Sequence, residues 1–248
     1  MRVAALYDIH GNLPALEAVL DEVAEIGVDC VVIGGDVVPG PLPRETLAAL
    51  LRLPVPAHFL HGNGERDVIA ATTDSGLDSV PAQARDIVNW TSRILSASDM
   101  ERLMSWPASV ELDVPGVGTV LFCHATPRSD REIFTQQTPA ERLLPIFENV
   151  AASVVVCGHT HMQFDRTIGA TRVVNAGSVG MPFGQPGADW LLLGPGIDLR
   201  RTDYDARSAA LRIRTSDYPE AADFAAHHVE DAPSSERMLE ILERAALK

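Results

Sequence analysis

The sequence has little cysteine: Cys30, Cys123 and Cys157 are the three cysteines among its 248 residues. An odd number without paired spacing argues against a disulfide framework and fits a reducing compartment. Each cysteine lies in or beside an apolar run, so we expect small, buried packing residues, as free cysteines usually are. Cys123 and Cys157 stand near histidines, which leaves a metal-linked role open.

Positive charge is also scarce. Lys and Arg together number 20 against 34 Asp and Glu, which gives a formal net charge of -14. This excess disfavours binding of nucleic acid or of an anionic membrane through a basic surface. A small anionic substrate is still compatible with it if bound metal ions supply positive charge at the site.

Long apolar runs are missing. The apolar stretch at the N-terminus stops at Asp8, which is too short for a signal peptide or for a spanning helix of about 20 residues. Hydrophobic residues make up 46% and charged residues 22%, as is ordinary for a globular protein. We therefore expect a soluble cytoplasmic protein without a membrane partner, and a homo-oligomer is left open.

The sequence does contain short β-branched runs that alternate with helical stretches over its N-terminal two thirds. Apolar spacing predicts a helix over Leu13–Ile26 with Asn12 as its N-cap, and further helices are predicted over residues 82–95 and 99–106. The segments predicted as strands are 3–7, 30–33, 57–60, 119–123 and 153–157, followed by the shorter 161–167, 171–174, 190–193 and 197–202.

This alternation predicts an α/β fold with two packed mixed β-sheets flanked by helices. We predict a single domain over residues 1–248, with a core of about 1–203 and an acidic helical tail of about 204–248. Breaks near 217–219 and 231–233 divide the tail into two or three helices. Nothing in the tail suggests chemistry, so its expected role is packing against the body.

Polar residues follow five of the predicted strands directly. In chain order these residues are Asp8 and His10, Asp36, Asn63, His124, and His159 with His161. Any one of these elements alone is usually a turn or a helix cap. Because open α/β sheets bind ligands at the carboxyl ends of their strands, five together favour one shared site.

The residue types indicate a metal site. Four imidazoles, two carboxylates and one amide form a nitrogen-rich set, which suits Mn, Fe, Co, Ni or Zn rather than Mg or Ca. Seven ligands exceed what one such ion takes, so two divalent ions with a bridging carboxylate are predicted. On an extended segment His159 and His161 would point the same way, about 6–7 Å apart, and so reach both ions of a pair about 3.5–4 Å apart.

The order of these residues resembles the calcineurin-like metallophosphoesterases, whose motifs run Asp-x-His, Gly-Asp, Gly-Asn-His-Asp/Glu, His and Gly-His-x-His. All five blocks occur in order between Asp8 and His161, and residues 8–12 and 175–178 resemble a bacterial branch of small cytoplasmic phosphodiesterases. The resemblance implies a four-layer sandwich that hydrolyses a small phosphorylated substrate. It also implies in-line attack by a hydroxide that bridges two metal ions, for which manganese is the expected metal.

The resemblance further implies residue roles, with Asp36 bridging the two ions. The first metal would be held by Asp8, His10, Asp36 and His161, and the second by Asp36, Asn63, His124 and His159. The predicted catalytic residues are Asp36, Asn63 and His124. The predicted substrate contacts are Asn12, Arg128 and Arg131, although the two arginines could equally be ordinary residues of a charged loop.

Two positions depart from the family pattern. Gly64 stands where the family's phosphatases place a histidine thought to protonate the leaving oxygen, and Ala125 follows His124 where glycine is usual. Because Gly64 supplies no acid and leaves space beside the phosphorus, we expect phosphodiesters to be preferred over alkyl monoesters. His61 could substitute for the missing acid, but a structural histidine at a strand end is the alternative.

Other interpretations stay open from the sequence. A phosphomonoesterase or nucleotide phosphatase could use the same ligands, and so could a non-catalytic scaffold or a module that only binds a phosphorylated ligand. Ser178 lies in Gly-Ser-Val-Gly, which is similar to a serine-nucleophile elbow, but Ala176 replaces its first glycine, so a tight loop is expected. We expect His227 and His228 on a solvated helix face.

Overall fold

Two five-stranded mixed sheets pack face to face in a computed structural model that describes residues 1–73 and 76–247. The strands are β1 (Val3–Leu6), β2 (Cys30–Ile33), β3 (Ala57–Phe59), β4 (Ser109–Val114), β5 (Gly118–Cys123), β6 (Val154–Cys157), β7 (Phe164–Ile168), β8 (Thr171–Asn175), β9 (Ala188–Leu193) and β10 (Ile197–Thr202). Helices cover the outer faces, so the predicted fold class is confirmed.

Nine α-helices lie in the described part of the chain. They are α1 (Leu13–Ile26), α2 (Pro43–Leu50), α3 (Asn63–Ala70), α4 (Arg85–Ile94), α5 (Ala97–Ser105), α6 (Ala140–Phe147), α7 (Ala206–Arg214), α8 (Ala221–Phe224) and α9 (Ser235–Ala245). Short 3-10 turns cover Gly76–Ser79 and Ala82–Ala84, and a π-helical turn covers Ala225–Glu230.

The first sheet has the strand order β10-β9-β1-β2-β3. Its three N-terminal strands are parallel and in step, since Leu6 of β1 aligns with Ile33 of β2, and Ile33 aligns with Phe59 of β3. Parallel strands that end level deliver the residues after them to one edge. The sequence following each of these three strands therefore meets at the same place.

The second sheet has the order β4-β5-β6-β8-β7 and brings its own loops to that place. β5 and β6 are parallel, with Phe122 aligned with Val156. The residues that follow β5 and β6 are thus neighbours, and the N–H of Gly158 donates to the carbonyl of His124 at 2.8 Å.

Side chains along β1 alternate between the two faces of the first sheet, and each face packs into a different hydrophobic core. Val3, Ala5 and Tyr7 belong to the core between the two sheets. Ala4 and Leu6 point the other way and pack in the core under the helices. All five are fully buried, so β1 is the central strand of the layered body.

Helix α1 has the predicted bounds and cap. The side chain of Asn12 accepts a hydrogen bond from the N–H of Ala15 at 3.3 Å, Pro14 lies in the first turn, and Gly27 ends the helix with φ 68°. The helices predicted over 82–95 and 99–106 correspond to α4 with the preceding 3-10 turn and to α5.

Other elements differ from the prediction. The strand predicted over 161–167 begins only at Phe164, because His161 has a positive φ of 56° and cannot continue a strand. Four elements of the structure, α2, α3, α6 and β4, were not predicted from the sequence. β4 alternates exposed and less exposed residues, a signal of an edge strand that the sequence does carry.

The tail forms α7, α8 with the π-helical turn, and α9, with breaks where they were predicted. It has a small core of its own that also packs against Ile87 and Trp90 of α4. Trp90 meets Tyr218 edge to face at 5.4 Å between ring centroids. That residues 1–248 act as one domain stays a prediction, and residue 248 lies outside the described part. Within that part, no helix is both long and apolar enough to cross a membrane.

Candidate metal centre

Asp8 follows β1, and its carboxylate is fully buried. Oδ2 accepts a hydrogen bond from the backbone N–H of His159 at 2.7 Å. Oδ1 is buried and has no hydrogen-bond donor among the residues that the structure describes, although buried carboxylate oxygens normally have one. A buried acceptor left free in this way fits a cation.

A first group of potential ligands surrounds this oxygen. Asp8, His10 and His161 each offer an atom within 4.8 Å of the others. The Nε2 atoms of the two histidines lie 3.2 Å apart, and that of His161 lies 3.4 Å from Asp8 Oδ1. His10 Nε2 is also 3.8 Å from Asp36 Oδ2. The four residues expected at the first metal are therefore brought together.

A second group lies beside the first. Asp8, Asp36 and His124 also offer atoms within 4.8 Å of one another, and His124 Nε2 is 3.5 Å from Asp36 Oδ1. One polar atom of the Asn63 side-chain amide lies 3.0 Å from His159 Nδ1 and 3.3 Å from His124 Nε2. With the carbonyl oxygen in that place and both rings neutral, the oxygen and the two imidazole nitrogens are acceptors without a donor. Such a set suits a cation better than a hydrogen-bond network.

Backbone carbonyls set the tautomers of two of these imidazoles. His124 Nδ1 lies 2.9 Å from the oxygen of Gly34, and His161 Nδ1 lies 3.0 Å from the oxygen of Met181. A carbonyl oxygen only accepts, so each Nδ1 must carry the hydrogen. Each Nε2 then faces the carboxylates, with its lone pair available to a metal when the ring is neutral.

Backbone strain coincides with the same residues. The non-glycine residues with positive φ in the described part of the chain are Asp8, His10, Asp36, His159 and His161, at 47–67°. Each such conformation costs about 1–2 kcal/mol for an L-residue, and strain of this kind clusters at functional sites. His159 and His161 therefore reach the site from a left-handed turn, and the extended segment assumed from the sequence was wrong.

The two buried carboxylates are electrostatically different. Burial raises the pKa of Asp36 to about 7, and the neighbouring Asp8 adds to this rise. Burial acts on Asp8 as well, but the imidazoles of His161 and His124 outweigh it and hold the pKa of Asp8 well below its usual value. Asp36 is thus the carboxylate that most needs a nearby positive charge.

The four imidazoles likewise form two pairs, whose pKa values are shifted in opposite directions. Burial lowers the pKa of His10 and that of His159 to about 3. Burial also opposes protonation of His124 and His161, but the two carboxylates outweigh it and raise both pKa values. The two carboxylates thus favour a proton on each of these rings, and a divalent cation held in their place would displace such protons.

Glu65 is a positioning residue that the sequence analysis did not single out. It is fully buried, and its Oε1 accepts the N–H groups of Val37 and Val38 at 2.7 and 3.1 Å. Its Oε2 accepts those of Asp36 and Gly62 at 2.9 and 2.7 Å. One carboxylate thus fixes the loop after β2 to the start of α3. The signal was present as an acidic residue three positions after the N-cap of a helix.

The sequence profile of the calcineurin-like phosphoesterase superfamily domain matches residues 1–193. The chain belongs to this superfamily. A metallophosphoesterase from Sphaerobacter thermophilus is 26% identical, with a TM-score of 0.68 over 92% of this chain and 99% of that chain. The hypothetical protein PH1004 from Pyrococcus horikoshii OT3 shares the fold at 24% identity, with a TM-score of 0.76 over 93% and 99% of the two chains. The uncharacterised protein MJ0912 of Methanocaldococcus jannaschii is 26% identical over 238 residues, 88% of this chain and 94% of the relative.

Among the predicted substrate contacts of this phosphoesterase-superfamily member, Asn12 is used inside the fold. It is fully buried, its amide donates to the oxygen of Gly180 at 2.8 Å, and its carbonyl oxygen caps α1. A side chain with no exposed surface and both polar groups engaged cannot meet a substrate in this arrangement. We therefore assign Asn12 to positioning the loop beneath the site.

Both arginines are held by carboxylates. Arg131 pairs with Asp67, whose side chain is only 7% exposed. Arg128 pairs with Glu132 through two donors, at 2.9 and 2.6 Å, and more than half of its side chain is exposed. Arg128 is thus free to exchange its partner for a phosphate, whereas Arg131 is tied to a buried charge.

Gly64 is closely packed, contrary to the expectation from the sequence that it leaves space beside the phosphorus. Its N–H donates to Asp36 Oδ1 at 2.7 Å, and a Cβ built on it would collide with the backbone oxygen of Val38. A side chain at this position therefore requires a shift of the backbone. Gly64 still borders the centre, because it lines a cavity with Asp36 and Asn63.

His61 lies on another side of the centre. It lines a separate cavity with His124 and Arg128. His61 Nδ1 is buried without a hydrogen-bond partner in the described part of the chain, and the carboxylate of Asp130 is 3.8 Å away. It is therefore neither a fully satisfied structural histidine nor a neighbour of Gly64 in the main cavity.

The cavity over the ligands has a volume of about 230 Å³ and is bounded partly by the tail. Its lining includes His10, Asp36 and Asn63 together with Tyr218, Phe224 and His228 of the tail. Burial lowers the pKa of His228 to about 4, and its Nδ1 has no hydrogen-bond partner within residues 1–73 and 76–247. The expectation of a solvated position was therefore wrong for His228, whereas the His227 side chain is 60% exposed.

The remaining expectations near the site concern thiols and Ser178. All three cysteines are free and buried, and burial raises the pKa of Cys123 to about 12, so they are packing residues as predicted. Ser178 is fully buried; its hydroxyl donates to the oxygen of Asp8 at 2.7 Å and accepts the N–H of Met181 at 2.8 Å. It belongs to a tight loop that supports Asp8 and is not a nucleophile.

Proposed function

We propose that this protein is a hydrolase that acts on phosphoric esters and holds two divalent transition-metal ions, with manganese as the expected metal. The observation that carries the proposal is the convergence of seven potential ligands from both sheets around buried acceptors without donors. Membership of the phosphoesterase superfamily supports the same chemistry. A cytoplasmic location is part of the proposal, and the free buried thiols support it.

The proposed ligand sets follow the two groups, with Asp36 shared. Asp8, His10, Asp36 and His161 would hold one ion, and Asp36, Asn63, His124 and His159 the other. When bound, the two ions would acidify water and polarise the oxygens of the phosphoryl group. The chain's own contribution is to fix these ligands: Glu65 holds the loop of Asp36, and Gly34 and Met181 hold the imidazoles.

Phosphodiesters are the substrate class that we propose. Gly64 has no side chain and cannot protonate a leaving alkoxide, a step worth about 10²–10⁴ in rate. Esters with good leaving groups depend least on such an acid. The cavity beside Asp36 and Asn63 has room for the second arm of a diester.

The test combines metal analysis with kinetics on matched substrates. Protein loaded with manganese should contain two ions per chain and hydrolyse aryl diesters with a higher kcat/KM than alkyl monoesters. Asp36→Asn should abolish activity and lower the metal content, because it weakens a ligand of both ions. Asp21→Asn, at an exposed position of α1, is the matched control and should change neither.

The results separate the alternatives. Full activity with at most one ion per chain would contradict the two-ion centre. Alkyl monoesters as the best substrates would favour a phosphomonoesterase. Two bound ions with no turnover of any ester would favour a binding module or scaffold over an enzyme.

A further inference from the structure

The tail contributes a wall to the cavity above the proposed ligands. Tyr218 precedes α8, Phe224 ends it, and His228 lies in the π-helical turn that follows. Tyr218 is 6% exposed and Phe224 is 5% exposed, so both residues are almost completely buried. They form a fixed wall, since Tyr218 and Phe224 meet edge to face at 6.1 Å and Phe224 lies 5.1 Å from the ring of His228.

Helix α4 and its preceding turn also contribute to the lining of this cavity. Ala84, Ile87 and Val88 line the cavity there. Together with Tyr218 and Phe224 they make most of its surface apolar. A cavity of roughly 150 Å³ holds a benzene molecule, so a space of about 230 Å³ has room for one aromatic ring.

The charges that border this cavity are negative. Asp67, Glu220 and Asp223 line it, and its lining in the described part of the chain includes no Lys or Arg. Asp67 is already paired with Arg131. A second anionic group, on the ester arm of a substrate, would meet Glu220 and Asp223 and no Lys or Arg of the described lining. The cavity thus disfavours polyanionic arms such as those of nucleoside polyphosphates.

We propose that this tail wall (Tyr218, Phe224 and His228) makes the centre selective for phosphate esters whose ester arm is uncharged and aromatic. His228 is the polar group of the wall, and its imidazole contacts the arm while Tyr218 and Phe224 pack against it. The inference rests on the phosphoesterase activity proposed above. It specifies the chemistry of the ester arm, which is the part of the substrate that does not react.

Binding of inert phosphonates to the manganese-loaded protein, measured by calorimetry, tests the wall without turnover. Phenylphosphonate should bind about tenfold to a hundredfold more tightly than methylphosphonate, because its ring is buried. 4-Carboxyphenylphosphonate should bind about fivefold more weakly than phenylphosphonate, because its added charge meets the carboxylates. Equal affinities for phenylphosphonate and methylphosphonate would overturn the proposal.

Two variants locate the effect. Ala84→Phe fills part of the cavity without removing a contact, so it should weaken phenylphosphonate far more than methylphosphonate and bring their affinity ratio close to one. His228→Asn should weaken phenylphosphonate about two- to tenfold, whereas His227→Asn, on the same turn but exposed, should not. If both Ala84→Phe and His228→Asn leave the affinity ratio of the two phosphonates unchanged, the phenyl ring binds elsewhere and the tail wall is refuted.

Failure of this inference is distinguishable from failure of the proposed function. If methylphosphonate binds and esters are hydrolysed but the phenyl ring adds no affinity, only the tail wall is refuted. If the loaded protein binds neither phosphonate and hydrolyses no ester, the proposed function fails and the inference fails with it. Thermal unfolding of each variant confirms that it is folded before its affinities are compared.

Discussion

Replacement of Glu65 by Gln tests whether one buried carboxylate organises the centre. The change keeps the size of the side chain and replaces one of its two oxygens by an NH₂ group. Each oxygen accepts two backbone N–H groups, so either orientation of the amide places a donor against two donors. The substitution therefore removes at least two hydrogen bonds to a charged, fully buried acceptor.

The expected cost follows from those bonds. A hydrogen bond to a charged group contributes about 1.5–3 kcal/mol, so the loss of two should lower the free energy of unfolding by roughly 3–6 kcal/mol. Domains are typically stable by only about 5–15 kcal/mol, so the variant should unfold at a much lower urea concentration. Metal affinity should fall as well, because the N–H of Asp36 loses its anchor.

Urea unfolding of wild type, Glu65→Gln and Glu25→Gln, each with and without manganese, measures the effect. Glu25 is exposed near the end of α1, and its substitution should change stability by less than about 0.5 kcal/mol. The metal should stabilise wild type more than Glu65→Gln in proportion to the lost affinity. A loss below about 1 kcal/mol in the metal-free protein would refute the role assigned to the four hydrogen bonds.

Because the raised pKa values of His124 and His161 make protons compete with metal, metal affinity should rise as the pH passes above those values. Binding at a pH below those values should release protons, which calorimetry in buffers of different ionisation enthalpy detects; binding without release would contradict this. Arg131→Ala should lower the free energy of unfolding by about 1–3 kcal/mol, since its buried carboxylate partner loses a counter-ion; urea unfolding at the wild-type midpoint would contradict it. Arg128→Ala should leave stability almost unchanged and raise KM more than it lowers kcat; steady-state kinetics with an unchanged KM would argue against a phosphate contact. Gly64→Ala should cost about 1–3 kcal/mol, because its Cβ collides with a backbone carbonyl; a wild-type Tm would show that the loop yields easily.

The layered fold and most of its strands could be predicted because each carries a local signal. The strands β1, β2 and β6 are continuous apolar runs of four buried residues, and α1 combines a cap, a proline in its first turn and a terminal glycine. Helix α3 was missed for a physical reason. Its first residue, Asn63, is also a proposed ligand, so its polar start looks like a loop and its single apolar face is short.

The pattern of ligands was equally local, since each follows a strand directly. The sequence alone therefore predicted that seven candidate metal ligands meet at one shared site, and it predicted the superfamily that the domain profile shows. It gave no indication that five of them adopt a left-handed backbone, because that conformation is imposed by loops packed from both sheets.

Only the tertiary structure decided what surrounds the ligands. The packing of Gly64 against Val38, the four bonds of Glu65 and the burial of Asn12 all depend on segments distant in sequence. The same holds for His228, which lies 67 residues or more after every proposed ligand and reaches the cavity only because the tail folds back over α4. Candidate ligands can be recognised from residue type and strand order, and both are local properties of the sequence. The shape and charge of a pocket arise from contacts between distant segments, which exist only after the layers have packed.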